Sequence, residues 1–283
     1  MTGSDLLISV HYHPAYVRRN VEALRKVRAA LQPSLHVAIS NGSELQLKHL
    51  LPSSFSAQLC VHSNEGAEFG AYHAGLQHAL STVHKRPRWV IFVNDTLGNH
   101  ATLTPIALRR FRDEIIDKPD SACPIAIGKQ DFTVRSFAIN GLRGHRWIRT
   151  HIFALNAAAI EALGHRMRFK ELDSLIPGGS VEDKFFDPAV DPTLRERLRQ
   201  WLFADRGPMR WYGACPLDEA SAQRMTRKAR SILHEMYLSL ILEHQSCIFI
   251  DVSNLRGIDR AVSAAQERIF ETGRSFMTMF RWS

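Results

Sequence analysis

Hydrophobic positions along the first half of the chain alternate between two rhythms. Leu6-Leu-Ile-Ser-Val10 is a short apolar run of the kind that forms a strand, and Val17, Val21, Leu24, Val27 and Leu31 then recur at helical spacing, predicting a helix from Ala15 to Leu31. His36-Val-Ala-Ile39 predicts a second strand. It ends in Ser40-Asn-Gly-Ser43, where Asn41-Gly42 supplies turn chemistry and Ser43 a cap for the helix that follows. Gln58-Leu-Cys-Val61 predicts a third strand, Glu65 to Val83 a helix carrying Phe69, Leu76 and Leu80, and Trp89-Val-Ile-Phe-Val93 a fourth strand. That last run is almost wholly apolar, which predicts a central place in the sheet.

The second half begins with a helix from Thr104 to Ile116, an apolar run at Pro124 to Ile127 and a glycine-containing connection. The alternating segment Trp147 to Leu155 then predicts a strand, and Asn156 to Leu163 a helix ended by Gly164. Beyond Pro177-Gly178-Gly179 the periodicity is helical at Pro192 to Phe203, Glu219 to His244 and Arg256 to Glu271, with a short apolar strand at Cys247 to Val252. Strands alternating with helices predict an α/β fold, a mostly parallel sheet flanked by helices, with a helical C-terminal extension. The division falls at 1–190 for the α/β part and 191–283 for the helical region packed on it.

Composition changes this picture little. With 283 residues, 45% hydrophobic and 23% charged, the chain is expected to be globular and disorder is excluded. No uncharged apolar stretch reaches the roughly 18 residues of a spanning helix, and the first residues lack the basic and apolar regions of a signal peptide, so a cytoplasmic location is expected. Cys60, Cys123, Cys215 and Cys247 show no C-x-x-C spacing and read as buried reduced thiols.

Charge is more informative. Lys and Arg number 36 against 28 Asp and Glu, a net +8, which suits nucleic acid, an anionic membrane surface or a phosphorylated substrate. The basic residues are dispersed and no zinc-finger, RNA-recognition or basic heptad signature occurs, so nucleic acid is not an expected partner. They are densest from Arg195 to Arg230, the stretch expected to meet a membrane surface if one is met.

Ligands of open α/β sheets bind beyond the carboxyl ends of the strands, where loops diverge and helix N-termini present N–H groups to anions. Four successive strand ends here carry polar or glycine-containing loops: His11-Tyr12-His13, Ser40-Asn41-Gly42-Ser43, Ser63-Asn64-Glu65-Gly66 and Asn94-Asp95-Thr96. Their convergence would make a site for a polar, phosphorylated ligand. The G-x-G-x-x-G and Walker signatures are absent, which excludes dinucleotides held in the usual way and P-loop ATP hydrolysis.

In order and spacing these loops resemble the nucleotide-sugar glycosyltransferases of GT-A fold, particularly the family 2 group. The likeness runs through Ser9-Val-His-Tyr-His13, through Ser40-Asn41-Gly42-Ser43 in place of a D-N-G-S-like turn, through Asn64-Glu-Gly66 to Gly75-Leu76, and through Val93-Asn94-Asp95-Thr96 at the position of the acidic motif. Together they span residues 5 to 100. The resemblance implies transfer of a sugar from a nucleoside diphosphate sugar to a glycan or lipid-linked acceptor, as in bacterial surface polysaccharide assembly, at the inner face of the membrane. It implies that His11, Ser40 and Asn41 lie near the nucleotide, that Asn64 and Gly66 shape the diphosphate and ribose side, that Asn94 and Asp95 meet the donor, and that Asp183 or Glu182 is the base.

Family members usually carry Asp-x-Asp, whose second carboxylate holds Mn or Mg against the diphosphate. Here a single Asp95 stands beside Asn94 and Thr96. Three arrangements follow: Asp95 anchors a hydrated divalent cation, aided by His244 or Asp251; basic side chains among Arg109, Lys129, Arg135, Arg143 and Arg149 neutralise the leaving group; or Asn94-Asp95 forms a buried turn and the site has lost catalysis. His11 and His13 alternate, so an extended strand end would put them on one face, yet no third metal ligand has diagnostic spacing. His234-Glu235 falls within an amphipathic helix whose Ile232, Leu233, Met236, Leu240 and Ile241 read as core. The rival functions are a nucleotidyltransferase, whose glycine-rich loop after the first strand is replaced by His11-Tyr-His-Pro14, and a non-catalytic binding or scaffold protein with a degenerate nucleotide site.

Overall fold

The computed structural model describes residues 5–41, 44–83, 85–118, 121–204, 211 and 213–279. Gly42 and Ser43, and Arg206 and Arg210 of the basic stretch, lie outside the described residues.

Seven strands, β1 (Leu6–His11), β2 (Leu35–Ser40), β3 (Gln58–Val61), β4 (Trp89–Asn94), β5 (Ile125–Ile139), β6 (Leu142–Asn156) and β7 (Ile248–Asp251), form one sheet in the order β3-β2-β1-β4-β6-β5-β7. β6 is antiparallel to both its neighbours and every other pairing is parallel. β4, buried along its whole length, lies between β1 and β6, the central place its apolar run predicts. The helices are α1 (Pro14–Leu31), α2 (Glu44–Leu50), α3 (Ala67–Thr82), α4 (Pro105–Asp117), α5 (Ala157–Ala162), α6 (Glu182–Phe185), α7 (Pro192–Leu202), α8 (Glu219–His244) and α9 (Gly257–Met279).

Side chains alternate across the strands, so the sheet builds two cores. Ile8, Ile39, Phe92 and Phe153 meet Phe69, Tyr72 and Leu76 of α3 and Met225, Ile232 and Met236 of α8 on one face. On the other, Leu7, Ile91, Ile127 and Ile152 meet Val17, Val21 and Leu24 of α1 and Phe111 and Ile115 of α4. α8 is fixed at its start by a capping box, in which Asp218 accepts the Ser221 N–H and Ser221 Oγ accepts the Asp218 N–H, an arrangement worth about 1 kcal/mol.

The fold class read from the sequence is the one observed. The second half holds more strand than its pattern predicts. β5 and β6 are 15 residues each and form a long hairpin through Asn140 and Gly141, where the sequence reads a connection. Register shifts between Gly128 and Gln130 and between Phe132 and Phe137 interrupt the alternation by which a strand is recognised. The last strand, β7, comes from the segment 248–251 and pairs with β5, while α8 shares a core with α3. Of the four thiols only Cys247 is buried, and Cys123 is exposed, because it stands in the polar turn before β5.

Candidate functional site

The carboxyl ends of β1 to β4 lie side by side, as the registers Val10↔Asn94, His11↔Ser40 and Ser40↔Val61 require. Four of the loops read from the sequence therefore share one edge. Only Tyr12 and His13 connect β1 to α1, and both donate their backbone N–H to Asp95 Oδ2, at 2.8 and 2.7 Å. Asp95 is buried. Desolvation pushes its carboxyl above the ordinary aspartate range and the two N–H donors oppose that shift.

Asn94 extends the same latch. Its Oδ1 accepts the Thr96 N–H at 3.1 Å and the Thr96 hydroxyl, and its Nδ2 donates to Thr150 O of β6 at 3.3 Å. Asn20 of α1 donates to Asn94 O and Leu97 O, both at 3.0 Å, and Asn99 donates to Asp95 O and Tyr16 O. The Asn94-Asp95 turn is thus a buried fastening between β4, the β1 turn and α1.

His11 and His13 part company. His13 is exposed at the start of α1, whereas the His11 ring is buried with Nε2 at 3.0 Å from Ser9 Oγ, which is 2.8 Å from His36 Nε2; Arg28 meets His36 Nδ1 at 3.1 Å. Burial lowers both imidazoles, His11 to about 4 and His36 to about 3, so both are neutral at pH 7. At the neighbouring ends Ser40 is buried and its carbonyl accepts the His62 N–H, while Asn41 donates its N–H to His11 O and its side chain meets His62 Nδ1 at 3.0 Å.

The turn from β3 into α3 holds left-handed backbone at Asn64 (φ 62°), Gly66 (φ 76°) and Ala67 (φ 52°). A Cβ on Gly66 would collide with the Arg168 guanidinium, which pairs with Glu65 at 2.7 Å and Asp173 at 3.0 Å, and one on Gly70 would strike the Glu65 carbonyl. Non-glycine residues at such angles are strained.

Glu182 and Asp183 stand exposed on the short α6, with Glu182 paired to Arg199. No described hydrogen bond or ion pair joins either to the strand-end loops. The segment before them does approach α8: Arg230 donates to Ile176 O at 2.8 Å, and a Cβ on Gly178 would collide with Thr226. Of the cations read as leaving-group partners, Arg149 pairs with Asp131, Lys129 with Glu267, and Arg143 with Ser136. Asp251 is taken up by the N–H and hydroxyl of Ser253.

A further acid comes from the helix in which Ile232, Leu233, Met236, Leu240 and Ile241 read as core. Glu235, on the face of α8 that turns toward β6, accepts the Thr150 hydroxyl at 3.0 Å, and the Thr150 carbonyl accepts Asn94 Nδ2 and Tyr72 OH. One turn earlier Ser231 donates to Glu68 of α3 at 2.6 Å. Burial, with Asp131 and Glu68 adding like charge, raises the Glu235 carboxyl to about 7, against the opposing pull of Lys228. A further turn back, Arg227 donates to Tyr12 OH in the β1 turn at 2.7 Å. Lys228, Ser231 and Glu235, polar at helical spacing beside an apolar stripe, are the sequence signal that marks this face.

The arrangement combines a fixed carboxylate, a carboxyl that exchanges its proton near neutrality and an exposed arginine over one polar edge. Among the described residues no three His, Cys, Asp or Glu side chains are grouped to hold a metal ion. The single carboxylate at the acidic motif already accepts two N–H donors on one oxygen.

By fold the chain is an α/β protein, with polar loops at the carboxyl ends of β1 to β4. No family profile and no curated protein matches it. Solved structures with a similar backbone include the bifunctional IspDF from Campylobacter jejuni, at 12% identity over 59% of this chain and 44% of that one, TM-score 0.35, so this chain spans less than half of that protein. 4-Diphosphocytidyl-2C-methyl-D-erythritol synthase aligns at 14% identity over 58% of this chain and 80% of its own, TM-score 0.37. The mannosyltransferase PcManGT from Pyrobaculum calidifontis, in complex with GDP-Man and Mn2+, aligns at 9% identity over 97% and 84%, TM-score 0.39.

Proposed function

We propose that the chain is a transferase acting on a nucleotide-activated sugar, and that its reaction is glycosyl transfer to a hydroxyl of a glycan or lipid-linked acceptor. The observation that carries this reading is the junction at Thr150, where a proton-exchanging carboxyl on α8 is bound to the same residue that fastens the end of β4. In this proposal the acceptor hydroxyl gives its proton to Glu235 while its oxygen bonds to the anomeric carbon. The bond from that carbon to the diphosphate breaks, and the nucleoside diphosphate leaves with the electron pair. Arg227, bonded into the β1 turn, faces the leaving diphosphate. His11, Ser40, Asn41, Asn64, Gly66, Asn94 and Asp95 serve the donor by fixing the loops that receive it.

Glu235 is preferred to Asp183 as base because a general base works best with an affinity near the working pH, and Asp183 is exposed on its short helix. Sugar transfer is preferred to nucleotidyl transfer because a turn of two residues between β1 and α1 leaves no glycine-rich loop for a triphosphate. The test is product analysis with a panel of nucleotide sugars and of nucleoside triphosphates with sugar phosphates. Release of nucleoside diphosphate supports the proposal. Pyrophosphate release marks nucleotidyl transfer, and binding without either product marks a non-catalytic protein. The Asp183→Asn variant, active where Glu235→Gln is not, separates the two candidate bases.

A further inference from the structure

We infer that the β5–β6 hairpin and the outer face of α9 form a docking surface for an anionic lipid bilayer. The second register shift of the hairpin pushes out residues 133–136 between the pairs Phe132↔Arg146 and Phe137↔Gly144. Phe137 and Ile139 turn inward, but Phe132 is 74% exposed and Val134 fully so. An aromatic and a β-branched side chain at the crest of a bulge contribute nothing to the core. Around them, residues 129–149 carry five Lys and Arg (Lys129, Arg135, Arg143, Arg146, Arg149) and one acid, Asp131. Arg149, Lys129 and Arg146 are paired with Asp131, Glu267 and Glu243, whereas Arg135 and Arg143 form no ion pair among the described residues.

A second element adjoins the base of the hairpin. The Lys129–Glu267 pair ties α9 to the base of the hairpin, and α9 keeps Ser263 buried against Thr104 while Ile258, Val262 and Ile269 stay exposed on its other side. Ile258, Val262, Ala265 and Ile269 recur at helical spacing, so the exposed side is an apolar stripe. Exposed apolar side chains with arginines beside them suit the boundary between headgroups and acyl chains, where the apolar part enters and the cations meet anionic lipid. Nucleic acid would match the arginines but not Val134 or Ile269. Within the basic stretch from Arg195, Arg195 bonds to Asp187 O, Arg199 to Glu182 and Glu196, Arg227 to Tyr12 and Arg230 to Ile176 O.

The test is flotation of the full chain with vesicles of phosphatidylcholine alone and of phosphatidylcholine mixed with phosphatidylglycerol. Wild type floats with the mixed vesicles, less so in high salt. Arg135→Glu with Arg143→Glu, and separately Phe132→Ser with Val134→Ser, each lower partitioning about tenfold or more. All four positions are at the surface, and unchanged thermal melting confirms that the variants fold. Equal flotation with both vesicles, or wild-type binding by both double variants, overturns the inference. So does loss of oligonucleotide binding or of dimerisation in their place. The Phe132→Ser, Val134→Ser variant leaves nucleotide-sugar binding unchanged, so this surface and the proposed reaction fail or stand separately.

Discussion

Two carboxyl groups, one just past the end of β4 and one in the middle of α8, are held in different ways, and only the second bonds to Thr150 itself. Asp95 accepts two backbone N–H groups and follows an Asn94 bonded to Thr150 O, while Glu235 accepts only the Thr150 hydroxyl. Both are pushed up by burial. The partners decide what each can do. Two short amide donors hold the charged form in one place and make Asp95 a fastening, whereas one neutral hydroxyl leaves Glu235 able to take and give a proton near pH 7. A carboxylate at a family's motif position is therefore no proof of the family's use for it, and an acid outside the motif can take up the chemistry.

The contrast is broken most severely at Glu235. Glu235→Gln keeps the Thr150 contact and the fold but removes the base, so turnover falls by about 10²–10⁴ while donor affinity holds. Steady-state kinetics beside calorimetry checks this, and wild-type turnover rises with pH through about 7 as the carboxyl ionises. Asp95→Ala should do the reverse in kind. It strands two N–H groups of the β1 turn and lowers stability in urea by about 2–4 kcal/mol, with donor affinity lost along with the loop.

The next prediction separates the two by pH. Glu235 has a folded affinity near 7 against an ordinary value of 4.5, so protonation favours the folded state. Its stabilising effect is complete below about 4.5, declines as pH rises to about 7 and is absent above that. Glu235→Gln should therefore gain on wild type by about 1–3 kcal/mol between pH 4.5 and 8, measured by urea unfolding at each pH. The smallest effect is at the β3 turn. Gly66→Ala meets both a φ of 76° and the Arg168 side chain, and should lower stability by about 1–2 kcal/mol, with donor affinity reduced more than turnover.

Much of the fold was legible because the first four strands are short apolar runs bounded by polar loops and the helices between them keep a period near 3.6. The hairpin was not, since its bulge sets Thr133, Arg135 and Ser136 where alternation should run. At the site, sequence order brought the four loops to one edge but could not give their bonding. Asp95 looks like a ligand until Tyr12 and His13 are seen on its oxygen. Glu235 was hidden by its neighbours, because an acid beside Leu233 and Met236 reads as the rim of a core face. The contact of Arg227 with Tyr12 joins residues 215 positions apart, beyond the reach of any local pattern.

The central claim is that this edge receives a nucleotide-activated sugar for transfer under Glu235. The most direct measurement is calorimetric titration of wild type and Glu235→Gln with UDP-, GDP-, CMP- and dTDP-sugars. The account predicts that one of them binds both proteins with affinities within about threefold, since a base that touches the acceptor leaves the donor site intact. Binding by neither protein to any member of the panel would contradict it.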